Sequence, residues 1–362
     1  MSKNPVLPLF ADFLGASKEY IGIISAASTI PGILISMPAG ILSDIYGRRR
    51  MLYVALFVFA SAPFMYLLVS ELWQLAVIRF YHGIATAIFG PVAMAAVAER
   101  YSGERAARLG LFSSATMVGR MMAPAIGGFL LTFGSFSSVY IACAAGGLIA
   151  LILGTFLEDT PSHAPQTVQK DYRAVLANKH IMMTTTVEAC QYFTFGGLET
   201  FLPLFALSVG VAPSYIGIIF TFQLIVTLLT KPVMGKLSDS VGRIPSISLG
   251  ILLGAISLLL LPYGHHWLVL GAITSVYGLG LATVTASTSA LVSDLSQGAY
   301  GSALGILSMI MDVGQASGPI ITGILIAVLS YRAAFTSLAC LLIGIGLFFI
   351  IVLGRKGQTQ ER

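Results

Sequence analysis

Long apolar runs alternate with short polar breaks along this chain. A partial run at 1–13 is followed by runs at 20–42, 51–70, 73–98, 107–133 and 136–157. A polar stretch with two prolines, 158–180 (EDTPSHAPQTVQKDYRAVLANKH), interrupts them, and runs resume at 181–207, 213–237, 246–263, 267–293, 301–329 and 332–354. Each full-length run holds about 18 residues or more, enough to cross ~30 Å of hydrocarbon at roughly 1.5 Å per residue. The pattern predicts an all-α membrane protein with six segments on each side of a linker.

The two sets of six are copies. Residues 4–50 align with 199–245 without a gap: Leu7-Pro8-Leu9-Phe10-Ala11 matches Leu202-Pro203-Leu204-Phe205-Ala206, and Tyr20-Ile21-Gly22-Ile23-Ile24 matches Tyr215-Ile216-Gly217-Ile218-Ile219. The offset of 195 persists through Gly83 with Gly278, Gly119 with Gly314, Pro124 with Pro319 and Gly128 with Gly323. Parallel six-helix repeats describe a transporter whose halves rock about a midplane site. The expected organisation is an N-terminal bundle at 1–157, a cytoplasmic linker at 158–180, a C-terminal bundle at 181–354 and a cytoplasmic tail at 355–362. Residue 1 aligns with residue 196, well inside the 181–207 run. The first helix is therefore expected to be truncated by about 15 residues at its cytoplasmic end, too short to span. A truncated gene model is the favoured reason.

Charge sets the orientation. If the 40–50 loop is cytoplasmic, that side holds 14 of the 20 Lys and Arg: Arg48, Arg49, Arg50, Arg100, Arg105, Arg108, Lys170, Arg173, Lys179, Lys236, Arg243, Arg355, Lys356 and Arg362. The outer side then holds only Lys18 and Arg332, as the positive-inside bias requires. Trp73 and Trp267 both open a run on the outer side, where interfacial aromatics belong. Composition agrees: 56% of residues are hydrophobic and 10% charged, with mean hydropathy +0.89. A soluble domain carries about 25% charged residues. The net charge of +5 does not point to nucleic acid, because the basic residues lie in short loops between apolar runs. Cys143, Cys190 and Cys340 fall inside apolar runs, far apart, and read as small packing residues rather than metal ligands.

Three motifs carry a resemblance. The loop GILSDIYGRRR, residues 40–50, returns as GKLSDSVGRIP, residues 235–245. The stretch LAVIRFYHGIATA, residues 75–87, contains Leu75, Arg79, Gly83 and Ala87, with His82 inside it. GRMMAPAIGG, residues 119–128, places Gly119, Pro124, Gly127 and Gly128, and its second copy is GQASGPIITG. Over its whole length the chain resembles the major facilitator superfamily, and within it the twelve-helix drug:proton antiporters. The resemblance implies that Gly40, Asp44, Gly47 and Arg48, with Gly235, Asp239, Gly242 and Arg243, form latch loops holding the cytoplasmic side closed. It places Arg79 in proton coupling, although His82 stands where the family has glutamine. It associates the 119–128 element with exporters, although Ala123 replaces a glycine. Small residues every four positions also let helices touch backbone to backbone, and Pro124 bends its helix.

The membrane segments also contain Arg120, Glu188, Glu199, Lys231 and Asp312. With Arg79 that makes six charges at ~3 kcal/mol each, so they are expected to line a wet cavity or pair. Glu188, Gln191, Tyr192, Phe195 and Glu199 are spaced to share a helix face, as are Asp312 and Gln315. Glu188 and Asp312 are the candidates for proton coupling, with static ion pairs to Arg120 or Arg79 as the alternative. Lys231 lies nearer the cytoplasm.

The reading is a secondary active transporter exporting hydrophobic, drug-like molecules against protons. A substrate-specific importer or metabolite exporter of the same superfamily is the alternative. The expected partners are a small-molecule substrate, protons and the lipid bilayer, with no nucleic acid, metal or cofactor, and the chain is expected to act as a monomer in the plasma membrane. No His-x-x-x-His, Gly-x-Ser-x-Gly or phosphate-cradling Gly-Lys-Ser/Thr motif appears, which argues against an enzyme or an ATP-driven pump.

Overall fold

The computed structural model describes residues 5–101, 104–158, 172–296 and 300–357. Most of the linker, with Lys170, and Arg362 of the expected tail lie outside these residues. The first half contains α1 (Val6–Phe13), α2 (Lys18–Ala27), α3 (Ile30–Tyr46), α4 (Arg48–Tyr66), α5 (Leu72–Arg100), α6 (Arg105–Phe133) and α7 (Phe136–Gly154). A short α8 (Tyr172–Ala177) precedes the second half: α9 (Lys179–Ser208), α10 (Pro213–Val241), α11 (Arg243–Leu260), α12 (Trp267–Leu295), α13 (Tyr300–Val328) and α14 (Tyr331–Gly357). No strand occurs among the described residues. Nine of the helical stretches are long and apolar enough to cross a membrane, among the described residues. The protein is an integral, multi-pass membrane protein.

The repeat is visible in the backbone. Gly15 and Gly210 have φ of 80° and 86°, and Gly47 and Gly242 have φ of 94° and 105°. Each pair is 195 positions apart, and the left-handed conformation explains why glycine is kept at both turns. α4 packs on α5 and α7, just as α11 packs on α12 and α14.

Three details differ from the sequence expectation. The run at 20–42 is two helices, because Pro31 has no N–H for the Ala27 carbonyl; the ladder tightens there, with Thr29 N bonding Ala26 O at 2.8 Å. The linker contains a helix, α8, and α14 continues to Gly357 into the expected tail.

The halves meet along two seams, α2 on α13 and α6 on α10. Both are backbone contacts made through glycine. A Cβ on Gly22 would stand 2.3 Å from the Pro319 carbonyl oxygen, and one on Gly323 would stand 2.4 Å from that of Lys18. Across the other seam a Cβ on Gly128 would meet the Pro213 oxygen at 2.3 Å, and one on Gly217 the Pro124 oxygen at 2.3 Å. Ser214 N donates to Thr132 Oγ1 (2.8 Å) and Thr221 Oγ1 to the Met121 carbonyl (3.0 Å) across the same seam. All of these lie toward the end carrying the 14–17 and 209–212 turns. Toward the end carrying Gly47 and Gly242 the halves separate: a Cβ on Gly40, Gly110, Gly235 or Gly305 would have nothing within 4 Å. The molecule is therefore shut at one end and open at the other.

Candidate functional site

The expected cavity charges fall into two groups. The first gathers around Tyr192 of α9. The charges of Glu188, Asp312, Arg120 and Glu199 all act on its hydroxyl, so a side chain of α6 in the first half and side chains of α9 and α13 in the second lie within electrostatic reach of it. Arg120 is exposed in the cleft, while Glu199 and Asp312 are half-buried.

Glu188 and Gln191 turn away from the cleft. Glu188 is 3% exposed, and the Thr288 hydroxyl of α12 donates to Oε2 of its side chain. The same hydroxyl lies 2.8 Å from the Val284 carbonyl of its own helix. The charge of Lys231, from α10, also reaches Glu188. Gln191 is fully buried beneath Gly254 of α11, where a Cβ would lie 3.4 Å from Gln191 Nε2. The expectation that Gln191 shares the cavity face of Tyr192 therefore needs correction. At about 100° per residue a three-residue step and a four-residue step from Glu188 diverge, and Gln191 falls on the bundle side.

The second group is inside the first half. Arg79 of α5 is 3% exposed, and its Nη2 donates to Ser28 Oγ at 2.5 Å. Its charge reaches Tyr66, Tyr140 and His82. Tyr66 and Tyr140 are stacked with centroids 4.7 Å apart, and His82 stands edge-on to Phe59 at 5.6 Å. Arg79 is thus separate from the Tyr192 group.

The two loops form matching ion networks. Arg48 binds Asp44, the Ser43 hydroxyl and Glu99, with Nη2 2.7 Å from Glu99 Oε1. Arg243 binds Asp239 and Asp294, with Nε 3.0 Å from Asp294 Oδ2. Glu99 and Asp294 were not singled out from sequence, although they too are 195 apart and each lies 51 residues after its arginine. Each network joins its loop to the next long helix but one of the same half, α5 or α12. Of the 119–128 motif, Pro124 and Gly128 make the α10 seam and Gly127 packs on Val6 of α1. A Cβ on Gly119 would meet nothing within 4 Å among the described residues, whereas one on the matching Gly314 would stand 2.2 Å from the Ala189 oxygen of α9. Among the described residues no group of three or more His, Cys, Asp or Glu converges as a metal site.

The sequence pattern of the Major Facilitator Superfamily matches residues 3–210 and again residues 184–362, one match for each copy. The chain belongs to this superfamily. It is a secondary transporter and not an enzyme. Relatives include multidrug resistance protein 1 of Bacillus subtilis (strain 168), 27% identical over 95% of this chain and 90% of that protein. The quinolone resistance protein NorA of Staphylococcus aureus (strain COL) is 23% identical over 99% of this chain and 92% of that protein. The nucleoside transporter NupG shares the fold, with a TM-score of 0.86 at 16% identity over 96% of this chain and 95% of the other.

Proposed function

We propose that this transporter exports hydrophobic, drug-like small molecules in exchange for protons by alternating access. The two halves, 1–157 and 181–354, move about the 158–180 linker, in the plasma membrane with both termini cytoplasmic. In that orientation the structure is open to the cytoplasm and shut on the outside. The observation that carries the reading is the gathering of charge at Tyr192: Arg120 of one half and Asp312 and Glu199 of the other act on its hydroxyl at the cleft, and Glu188 acts on it from the bundle side. Excess acid over base there suits lipophilic cations, and a carboxylate is the group that exchanges a proton for one. Glu188 and Asp312 are the coupling residues. Relatives named for multidrug and quinolone resistance support the same substrate class.

The test is proton flux in energised inside-out vesicles, followed with a pH-sensitive dye while lipophilic cations and neutral drugs are added. The expected result is compound-dependent proton release that is lost in Glu188→Gln or Asp312→Asn. Nucleoside uptake without any proton response, in folded protein, would replace export with import.

A further inference from the structure

The polar cluster around Arg79 has no use in the reading above, and it is expensive. Ser25, Tyr66, Arg79, His82 and Tyr140 are all buried, and Ser25 Oγ, Tyr66 OH, Arg79 Nε, His82 Nδ1 and Tyr140 OH have no hydrogen-bond partner among the described residues. Buried polar atoms are nearly always paired, so a group of five needs a reason. The fold does not require them. At the matching places of the second half Ser25, Tyr66 and Tyr140 become Phe220, Leu261 and Phe335, all buried.

What the cluster surrounds is the break between α2 and α3. Pro31 creates that break, and its counterpart is Val226, within an uninterrupted α10. Arg79 bonds the Ser28 hydroxyl at the break, and Gly83, one turn on, lies against the same residue: its Cβ would stand 2.4 Å from the Ser28 oxygen and 3.0 Å from Pro31 Cγ. In the second half the residue matching Arg79 is Thr274, which bonds only its own helix, at the Leu270 carbonyl (2.8 Å) and the Gly271 carbonyl (3.2 Å). α2 is the segment whose Gly22 closes the shut end against Pro319. One gate helix of the pair is therefore jointed and gripped, and the other is a single rod.

We propose that Arg79 is a positioning residue that holds the Ser28–Pro31 joint of a two-piece gate. When the shut end opens, α2 folds away from α13 about this joint, while α10 leaves α6 as a rigid rod. The cation favours the carbonyl end of α2, where Pro31 has left the Ala27 oxygen without its helical donor. The unpaired polar atoms of Ser25, Tyr66, His82 and Tyr140 stand ready for backbone groups that change neighbours as α2 swings. The inference holds for any solute, since it needs only a gate that opens.

The experiment uses spin-label pairs on the purified full chain in lipid nanodiscs. One pair, Tyr20–Trp73, reports α2 against α5; its repeat counterpart, Tyr215–Leu268, reports α10 against α12. All four positions are exposed. The gates are forced open without ligand by wedges: Gly22→Trp in α2, and Gly217→Trp at the matching place in α10. Both glycines are within 2.3 Å, measured from an added Cβ, of a carbonyl oxygen that cannot yield. The expected result is that Gly22→Trp moves the Tyr20–Trp73 distance, whereas Gly217→Trp leaves Tyr215–Leu268 in place. Equal behaviour of the two pairs, both moving or both fixed, overturns the jointed gate. Ser28→Ala, without a wedge, tests the grip: loss of a charge-assisted bond shifts the balance of α2 positions by about tenfold. Thr274→Ala, its control in the other half, shifts nothing. An unchanged Tyr20–Trp73 distribution in Ser28→Ala shows that Arg79 does not hold the joint.

Discussion

Arg48 of α4 donates to Glu99 of α5, Nη2 to Oε1 at 2.7 Å, and the same bond recurs 195 positions later between Arg243 and Asp294. The two differ in burial. The Arg48 and Glu99 side chains are 13% and 21% exposed, those of Arg243 and Asp294 23% and 56%. Screening by water makes an exposed pair worth about 0–1 kcal/mol, whereas a charge-assisted bond shielded from water is worth about 1.5–3 kcal/mol. Glu99→Gln is therefore expected to lower thermal stability in detergent clearly more than Asp294→Asn. A double-mutant cycle with Arg48→Gln and Arg243→Gln checks it. Equal coupling energies in the two halves would mean that burial does not set the difference.

These carboxylates show what was readable in the chain. The span pattern, the repeat and the two glycine turns follow from hydrophobic runs and from identities at a fixed offset, which are local signals. Glu99 and Asp294 carried the same offset but sat among polar residues at helix ends, where charge is ordinary. The break at Ser28 had a local cause, Pro31, with Val226 opposite it in the repeat. Gln191 was misplaced because helix-face arithmetic cannot say where a cavity face ends and a bundle face begins. Thr288 was invisible: a threonine among several in an apolar helix acquires meaning only when Glu188 arrives beside it.

Within the 119–128 motif the glycines are not equivalent. A methyl group on Gly128 would collide with the Pro213 carbonyl oxygen at 2.3 Å and press on Gly217, both backbone. One on Gly119 would meet nothing within 4 Å. Gly128→Ala should prevent the α6–α10 seam from closing and reduce transport by about fivefold or more, since a clash of this kind costs about 1–3 kcal/mol. Gly119→Ala should leave the closed seam intact. Cysteine pairs across the seam, such as Thr132→Cys with Ser214→Cys, read the difference directly. The Thr132–Ser214 bond of 2.8 Å places them side by side in the wild type. Cross-linking should persist with Gly119→Ala and fail with Gly128→Ala.

Thr288 provides the sharpest test of the coupling site. Its hydroxyl has one proton and two close acceptors, the Glu188 carboxyl and the Val284 carbonyl at 2.8 Å. With Glu188 ionised, that proton must go to the carboxylate. With Glu188 protonated, the carboxyl can donate to the hydroxyl, which then donates to Val284. The hydroxyl thus serves both protonation states without moving the helices, which a methyl group cannot do. Thr288→Ser keeps this ability and is expected to retain coupling. Thr288→Val keeps the shape but leaves Glu188 without its hydroxyl partner in a site only 3% exposed. A bond of this class is worth about 1.5–3 kcal/mol, so compound-driven proton flux in vesicles should fall by about tenfold or more, with protein level and fold unchanged. If the valine variant transports protons as the wild type does while Glu188→Gln is inactive, Glu188 works without Thr288. If Glu188→Gln is also active, proton exchange resides with Asp312 and the cleft carboxylates instead.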